Sequence, residues 1–169
     1  MTSRTKILLM VFVGAAVSLG TILAQAQKKP TIAYPDYPND PRHWRHVKSM
    51  VIFSNENKLF DQFGGLHNVY VNDIGWPVLK SGKTPYPDGS MFALEVFNIG
   101  SYQGAIEPRG HKALYLIKKN SKAYADTGGW GFELFQDGQT TGSVKDMKQC
   151  FSCHAKQKNR DYIYSDYMQ

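Results

Sequence analysis

The chain has 169 residues, of which 42% are hydrophobic and 20% charged. This composition excludes a disordered chain and a disulfide-stapled mini-protein, and it predicts a single domain with its own core. The formal charge is +6, but the Lys and Arg residues are scattered along the chain, so nothing indicates nucleic-acid binding. The aromatic content of 13% favours β-structure.

The first 26 residues have the pattern of a secretory signal peptide. Arg4 and Lys6 precede an apolar run over 7–23, and Ala24 and Ala26 form an Ala-x-Ala cleavage site. An uncleaved membrane anchor is the alternative, because the apolar run is near the lower length for a bilayer span. The cleavage site favours removal after Ala26, so we expect a periplasmic mature protein whose formal charge is +4.

The remaining chain divides into a short leader and one folded domain. Residues 27–43 contain four prolines, which is typical of an extended leader. Residues 44–169 carry the predicted elements of the fold. Alternating or aromatic-rich segments predict five strands, which begin near Trp44 and continue at 68–71, 91–99, 113–118 and 130–134.

Two helices complete the prediction. A brief helix is expected over 74–80, capped by Asn72 and Asp73 and closed at Gly82. A longer one is expected over 143–158, with Ser143 as its cap. Loops containing Gly or Pro, such as 104–110, separate the later strands. The sequence therefore predicts an α+β fold, mainly an antiparallel sheet with a short helix and a C-terminal helix.

The C-terminal helix carries the sequence's most specific motif, Cys150-Phe-Ser-Cys153-His154. In an exported protein, C-x-x-C-H is the attachment site of a c-type haem. The two thiols bond covalently to the haem, and His154 is the axial ligand of its iron. We expect one haem c per chain, bound by the C-terminal helix.

Three other interpretations of the cysteine pair are weaker. A thioredoxin-like redox pair belongs near the start of a βαβ unit, whereas this pair follows several strands. A structural zinc ion needs four ligands, and the chain has no further cysteine. A disulfide between residues this close would constrain little of the unfolded chain.

The sixth coordination position of the iron is left open by the motif. A second His or Met ligand would make the protein an electron-transfer cytochrome. The candidates that follow the predicted signal peptide are His43, His46, His67, His111, Met50, Met91, Met147 and Met168. The sequence context singles out none of them.

Several segments in this order resemble the cytochrome P460 family, which includes cytochrome c′-beta. They include 68–72, the Pro-Tyr-Pro-Asp-Gly segment at 85–89, the Gly-Gly-Trp-Gly-Phe segment at 128–132 and the terminal motif followed by 161–164. The resemblance implies a mostly β protein, often a homodimer, with the haem against the sheet. It also implies five-coordinate iron that is open to a small ligand.

The resemblance also identifies two departures from the hydroxylamine-oxidising members. Those members have a haem-linked lysine where this chain has Leu94, and an acidic proton acceptor near the position of Leu114. An apolar distal pocket would instead be lined by Phe92, Leu94, Val96 and Leu114. The strand alternation turns Glu95 away from Leu94, so we expect its carboxylate to be solvent-facing or paired.

Three hypotheses follow from these expectations. The first is a periplasmic cytochrome that binds nitric oxide or carbon monoxide and has no hydroxylamine turnover. The second is a haem oxidoreductase that oxidises hydroxylamine or nitric oxide, although its cross-linking lysine and distal acid are missing. The third is a plain electron-transfer cytochrome with a redox partner.

Overall fold

A computed structural model of the chain describes residues 31–36 and 40–167. The predicted signal peptide at 1–26, the leader residues 27–30 and 37–39, and Met168 lie outside the described residues. Within the described ranges, no helix combines the length and apolarity needed to cross a membrane.

The fold is α+β, as predicted, and is built on one five-stranded sheet in which each strand pairs antiparallel with the next. The strands are β1 (Arg45–Ile52), β2 (Gly65–Val71), β3 (Met91–Tyr102), β4 (Ala105–Lys119) and β5 (Trp130–Gln136). The α-helices are α1 (Phe60–Phe63), α2 (Trp76–Ser81) and α3 (Met147–His154). The described residues also form three 3₁₀ helices, at Pro41–His43, Ala125–Thr127 and Ala155–Arg160.

The predicted loop at 104–110 is wrong, because only Gly104 lies in a turn and residues 105–110 belong to β4. The chain turns sharply at Gln103 and Gly104, which have φ angles of 47° and 82°, as a two-residue hairpin requires. Pro108 lies opposite Ile99, beside an irregularity in the pairing of β3 and β4. Proline is tolerated in a strand at such irregularities, so its presence in the sequence was misleading.

The two predicted helices are shorter than expected. The Asn72 side chain accepts hydrogen bonds from the backbone N–H groups of Gly75 (3.1 Å) and Met91 (3.0 Å), and α2 begins only at Trp76. Ser143 does not cap the C-terminal helix, because its hydroxyl donates to the carbonyl of Leu134 instead.

Each face of the sheet carries an apolar cluster. The α3 face is the one against which the C-terminal helix packs, and its buried cluster comprises Val47, Val69, Val71, Leu79, Tyr86, Phe92, Trp130, Phe132 and Ile163. The leader face is the other one, and its buried cluster comprises Ile32, Ala93, Leu114, Leu116 and Phe135. Because Ile32 is buried and the ring of Tyr34 contacts that of Phe135, part of the leader packs on the sheet.

Candidate haem site

The cysteines of the motif lie on α3 with different exposure. Asp146 caps this helix by accepting a hydrogen bond from the N–H of Lys148 at 2.9 Å. Both cysteines are free thiols; Cys150 is half-buried against the α3 face and Cys153 is exposed. Residues three apart on a helix are neighbours on its surface, so the two sulfurs project from adjoining positions. Burial raises the pKa of the Cys150 thiol.

His154 ends α3 with its ring held in a defined orientation. Its Nδ1 lies 2.7 Å from the carbonyl oxygen of Tyr162. Since a carbonyl can only accept, Nδ1 must carry the proton. In a neutral ring this leaves Nε2 with its lone pair, and burial lowers the pKa of His154, which favours the neutral form. A backbone carbonyl on the other ring nitrogen is the usual arrangement of a metal-ligating histidine.

Two aromatic side chains contact the imidazole of His154. The ring of Phe132 lies 4.9 Å from that of His154 and the ring of Tyr164 lies 5.3 Å from it, both edge-on. The Tyr164 hydroxyl donates to the carbonyl of Cys153 at 2.8 Å. The segment that follows α3 therefore folds back on the motif and restricts the ring of His154.

An apolar strip runs beside α3 on the same face of the sheet. Leu94, Tyr115 and Leu134 are paired across β3, β4 and β5, and all three are only half-buried. Burial raises the pKa of Tyr115. Leu94 and Cys150 pack against the same buried cluster, so the strip borders Cys150. Free thiols, an imidazole with an available nitrogen and an adjoining apolar surface fit a covalently bound, largely apolar macrocycle.

The structure brings three of the four predicted pocket residues to one face. Phe92, Leu94 and Val96 alternate along β3 on the α3 face. Phe92 and Val96 are buried, whereas Leu94 presents part of its side chain at the surface. Leu114 pairs with Glu95 and packs in the cluster of the leader face. It is therefore not among the residues that can line this pocket.

Glu95 is paired, one of the two outcomes expected for it. It is 8% exposed on the leader face, where the Tyr70 hydroxyl donates to its carboxylate and His111 lies 3.8 Å away. Burial raises the pKa of this carboxyl group. Its position excludes a direct role on the α3 face.

Three of the candidate sixth ligands belong to the leader face. The ring of His46 contacts that of Tyr70, His111 lies beside Glu95, and Met91 packs against the leader-face cluster. Met50 is exposed on the edge strand β1, and Met147 is on α3 itself, packed against the cluster there.

His67 is on the α3 face but far from His154. Phe132, which contacts His154, is aligned across the sheet with Val71 of β2, three strands away. His67 lies four residues before Val71 in β2. At the spacings of a β-sheet this separates the backbones by roughly 20 Å. The Nε2–H of His67 instead donates to the carbonyl of Phe63. His43 lies in the 3₁₀ helix that precedes β1. Among the described residues, the candidates on the leader face and His67 are therefore placed away from His154.

Sequence reasoning missed two parts of this site. Tyr115 and Leu134 could be recognised only from the pairing of β3, β4 and β5, because membership of the strip depends on register. The carbonyl of Tyr162 leaves no signal in residue type, since any residue would supply one there.

Comparison with protein-family models gives a match to cytochrome P460 over residues 38–165. Comparison with curated proteins gave no match. The family match includes the five strands, α3 and the C-x-x-C-H motif, and it covers most of the chain. The chain therefore belongs to the cytochrome P460 family of haem cytochromes.

Proposed function

We propose that this protein is an exported, periplasmic c-type cytochrome whose single haem binds a small diatomic ligand such as nitric oxide. Cys150 and Cys153 would attach the haem covalently, and Nε2 of His154 would be its only protein ligand. When bound, the haem supplies an iron centre that can take up a diatomic gas at its open position. The half-exposed Leu94, on the same face of the sheet as the cysteines, is the observation that carries the proposal.

An apolar side chain at this position selects among small ligands. Leu94 cannot donate a hydrogen bond, and the carboxylate next to it in the chain is on the other face. Anionic ligands such as azide or cyanide gain from a donor near the iron, because hydrogen bonds to charged groups are stronger than neutral ones. Nitric oxide and carbon monoxide are uncharged and gain less from a donor.

Hydroxylamine oxidation is disfavoured by the residues at positions 94 and 114. Leucine at 94 has no amine with which to form a link to the haem. Leu114, near the expected position of the proton acceptor, is apolar and lies on the leader face. A general base must lie within hydrogen-bond reach of the proton that it removes, and neither residue supplies one.

Covalent attachment is tested by export from a host competent for cytochrome c maturation. We expect the haem to stay with the chain on a denaturing gel and after acid–acetone extraction. The variant C150S/C153S, secreted from the same host, should lose all gel-associated haem. Loss of haem from the unmodified chain under these conditions would contradict the proposed linkage.

Sequencing the N-terminus of the secreted protein tests cleavage after Ala26.

Ligand selectivity is tested by titrating the reduced protein with nitric oxide and the oxidised protein with azide and cyanide. We expect nitric oxide to bind stoichiometrically at micromolar protein concentration, while azide and cyanide bind weakly. Rapid, tight binding of either anion would count against an apolar pocket. Peptide mapping that joins the 150–154 peptide to a lysine-containing strand peptide through haem would instead support the oxidoreductase.

A further inference from the structure

Lys119 and Asp161 form a buried ion pair next to the C-terminal segment that contacts His154. Nζ of Lys119 lies 2.7 and 2.9 Å from the two carboxylate oxygens of Asp161, and the two side chains are 6% and 10% exposed. The same ammonium group donates to the carbonyl of Gly128 at 3.2 Å. The Asp161 carboxylate also accepts from the N–H of Tyr86 at 2.9 Å. The pair thus joins β4, the loop before β5, the loop before β3 and the C-terminal segment.

Asp161 immediately precedes the residue that contacts His154. Asp161 and Tyr162 are consecutive left-handed residues, with φ angles of 49° and 69°. This conformation is unfavourable for a bulky residue such as tyrosine and persists only where surrounding contacts impose it. Here the N–H of Tyr162 donates to the carbonyl of Gln157 at 2.8 Å, and the Asp161 side chain is fixed by Lys119. The turn directs the carbonyl of Tyr162 at Nδ1 of His154.

The ring of Tyr162 packs closely against Gly128, in the loop before β5. A Cβ atom on Gly128 would lie 2.4 Å from the ring, so the glycine is needed for this close approach. The carbonyl of Gly128 is the one that Lys119 binds. The ring of Phe151, on α3, also packs against the ring of Tyr162, at 5.2 Å between centroids.

We propose that Lys119 and Asp161 are positioning residues that hold the carbonyl of Tyr162 against Nδ1 of His154 and thereby set the strength of His154 as an iron ligand. This inference rests on the proposed ligation of haem by His154. A hydrogen bond from Nδ1–H to a well-placed acceptor fixes the tautomer and raises the basicity of the remaining nitrogen. A more basic imidazole stabilises ferric over ferrous iron and so lowers the reduction potential.

A purely structural ion pair would have a different consequence. Removing one partner of a buried pair leaves the other charge uncompensated and lowers stability, whereas removing both charges recovers much of that loss. If the ion pair had only a structural role, the iron–imidazole stretching band and the midpoint potential would change in proportion to the loss of stability. Under the proposed role, both would change with the placement of the Tyr162 carbonyl, whatever the stability of the variant.

The experiment compares haem-loaded wild-type protein with D161N and K119M/D161N. Asparagine tolerates the left-handed conformation, so D161N removes the charge while keeping the backbone preference. The readouts are the iron–imidazole stretching band of the reduced protein by resonance Raman, the midpoint potential, and urea denaturation. The matched control is L116A on the leader face, which lowers stability without contacting the C-terminal segment.

We expect D161N to shift the iron–imidazole band to lower frequency and to raise the midpoint potential. K119M/D161N should be more stable than D161N yet keep both shifts, and L116A should show neither. Wild-type band and potential in K119M/D161N, or equal shifts in L116A, would overturn the inference. If D161N yields no folded protein, the double variant decides alone. Failure of wild-type protein to show a five-coordinate iron–imidazole band would instead overturn the proposed function.

Discussion

Leu94 and Glu95 are consecutive residues of β3, and their side chains lie on opposite faces of the sheet. Leu94 belongs to the half-buried strip beside α3, whereas Glu95 is buried among Tyr70 and His111 on the leader face. The polar residue of this pair is therefore separated from the cysteines by the thickness of the sheet. The proposed ligand selectivity depends on this separation.

The variant L94Q tests the apolar character of the pocket. Glutamine supplies a donor at this position, and a hydrogen bond to a charged group is worth about 1.5–3 kcal/mol. We expect the affinity of the oxidised protein for azide to rise about tenfold or more, as measured by spectrophotometric titration, with little change for nitric oxide.

The matched control for L94Q is E95Q, a change of the neighbouring residue on the other face. It should leave azide affinity within about twofold of wild type, since Glu95 contacts Tyr70 and His111 on the leader face. Equal effects of L94Q and E95Q would show that the orientation assigned to β3 has no bearing on ligand binding.

The close contact between Gly128 and Tyr162 predicts a large effect of G128A on stability. The added methyl group meets the ring at 2.4 Å, and Gly128 has a φ of 65°. At Gly138, which has a similar φ of 69°, an added Cβ atom would lie more than 4 Å from every described atom outside the adjoining residues. G138A therefore isolates the conformational cost of about 1–2 kcal/mol. We expect G128A to lose about 1–3 kcal/mol more than G138A in urea denaturation, the usual cost of overpacking. Equal losses would mean that the ring moves aside freely.

His67 makes stability depend on pH. Its imidazole is 1% exposed, and burial, with a smaller contribution from Lys112, lowers its pKa. The unfolded chain protonates this group at its ordinary pKa of about 6.5, whereas the folded protein keeps it neutral to lower pH. The unfolded state therefore binds more protons as the pH falls through this range, and the free energy of unfolding decreases.

The variant H67Q is expected to weaken that dependence. Glutamine can still donate to the carbonyl of Phe63 but does not titrate. H67Q should be less stable than wild type at about pH 7.5, because packing against Phe63 is lost, yet it should lose less stability on acidification to about pH 5. Urea denaturation at the two pH values measures this difference. The control L116A, which lowers stability without removing a titratable group, should retain the wild-type slope, and a wild-type slope in H67Q would refute the assignment.

The elements of the fold were largely predictable because local pattern determines them. Apolar and polar residues alternate in the strand segments, Gly82 ends α2, and the cysteine spacing identifies α3 as the helix of the candidate site. The hairpin joining β3 and β4 was mispredicted because Gly104, Pro108 and Gly110 are typical of loops. Their tolerance in the hairpin depends on a tight turn and irregular strand pairing, which are properties of two strands together.

The sequence predicted only those parts of the site whose chemistry depends on residue type and spacing. Cys150, Cys153 and His154 are recognisable from spacing alone. The strip of Leu94, Tyr115 and Leu134 depends on strand register, which no single segment encodes. The same limit applies to Leu114, which shares a face with Glu95 because the two are paired across β3 and β4.

The proposed function depends on His154 being the only protein ligand of the haem iron. The electron paramagnetic resonance spectrum of the resting oxidised holoprotein tests it most directly, because a second strong-field axial ligand from His or Met converts ferric haem to low spin. We expect a high-spin ferric spectrum at neutral pH. A spectrum dominated by low-spin iron would contradict it and would make the protein an electron-transfer cytochrome.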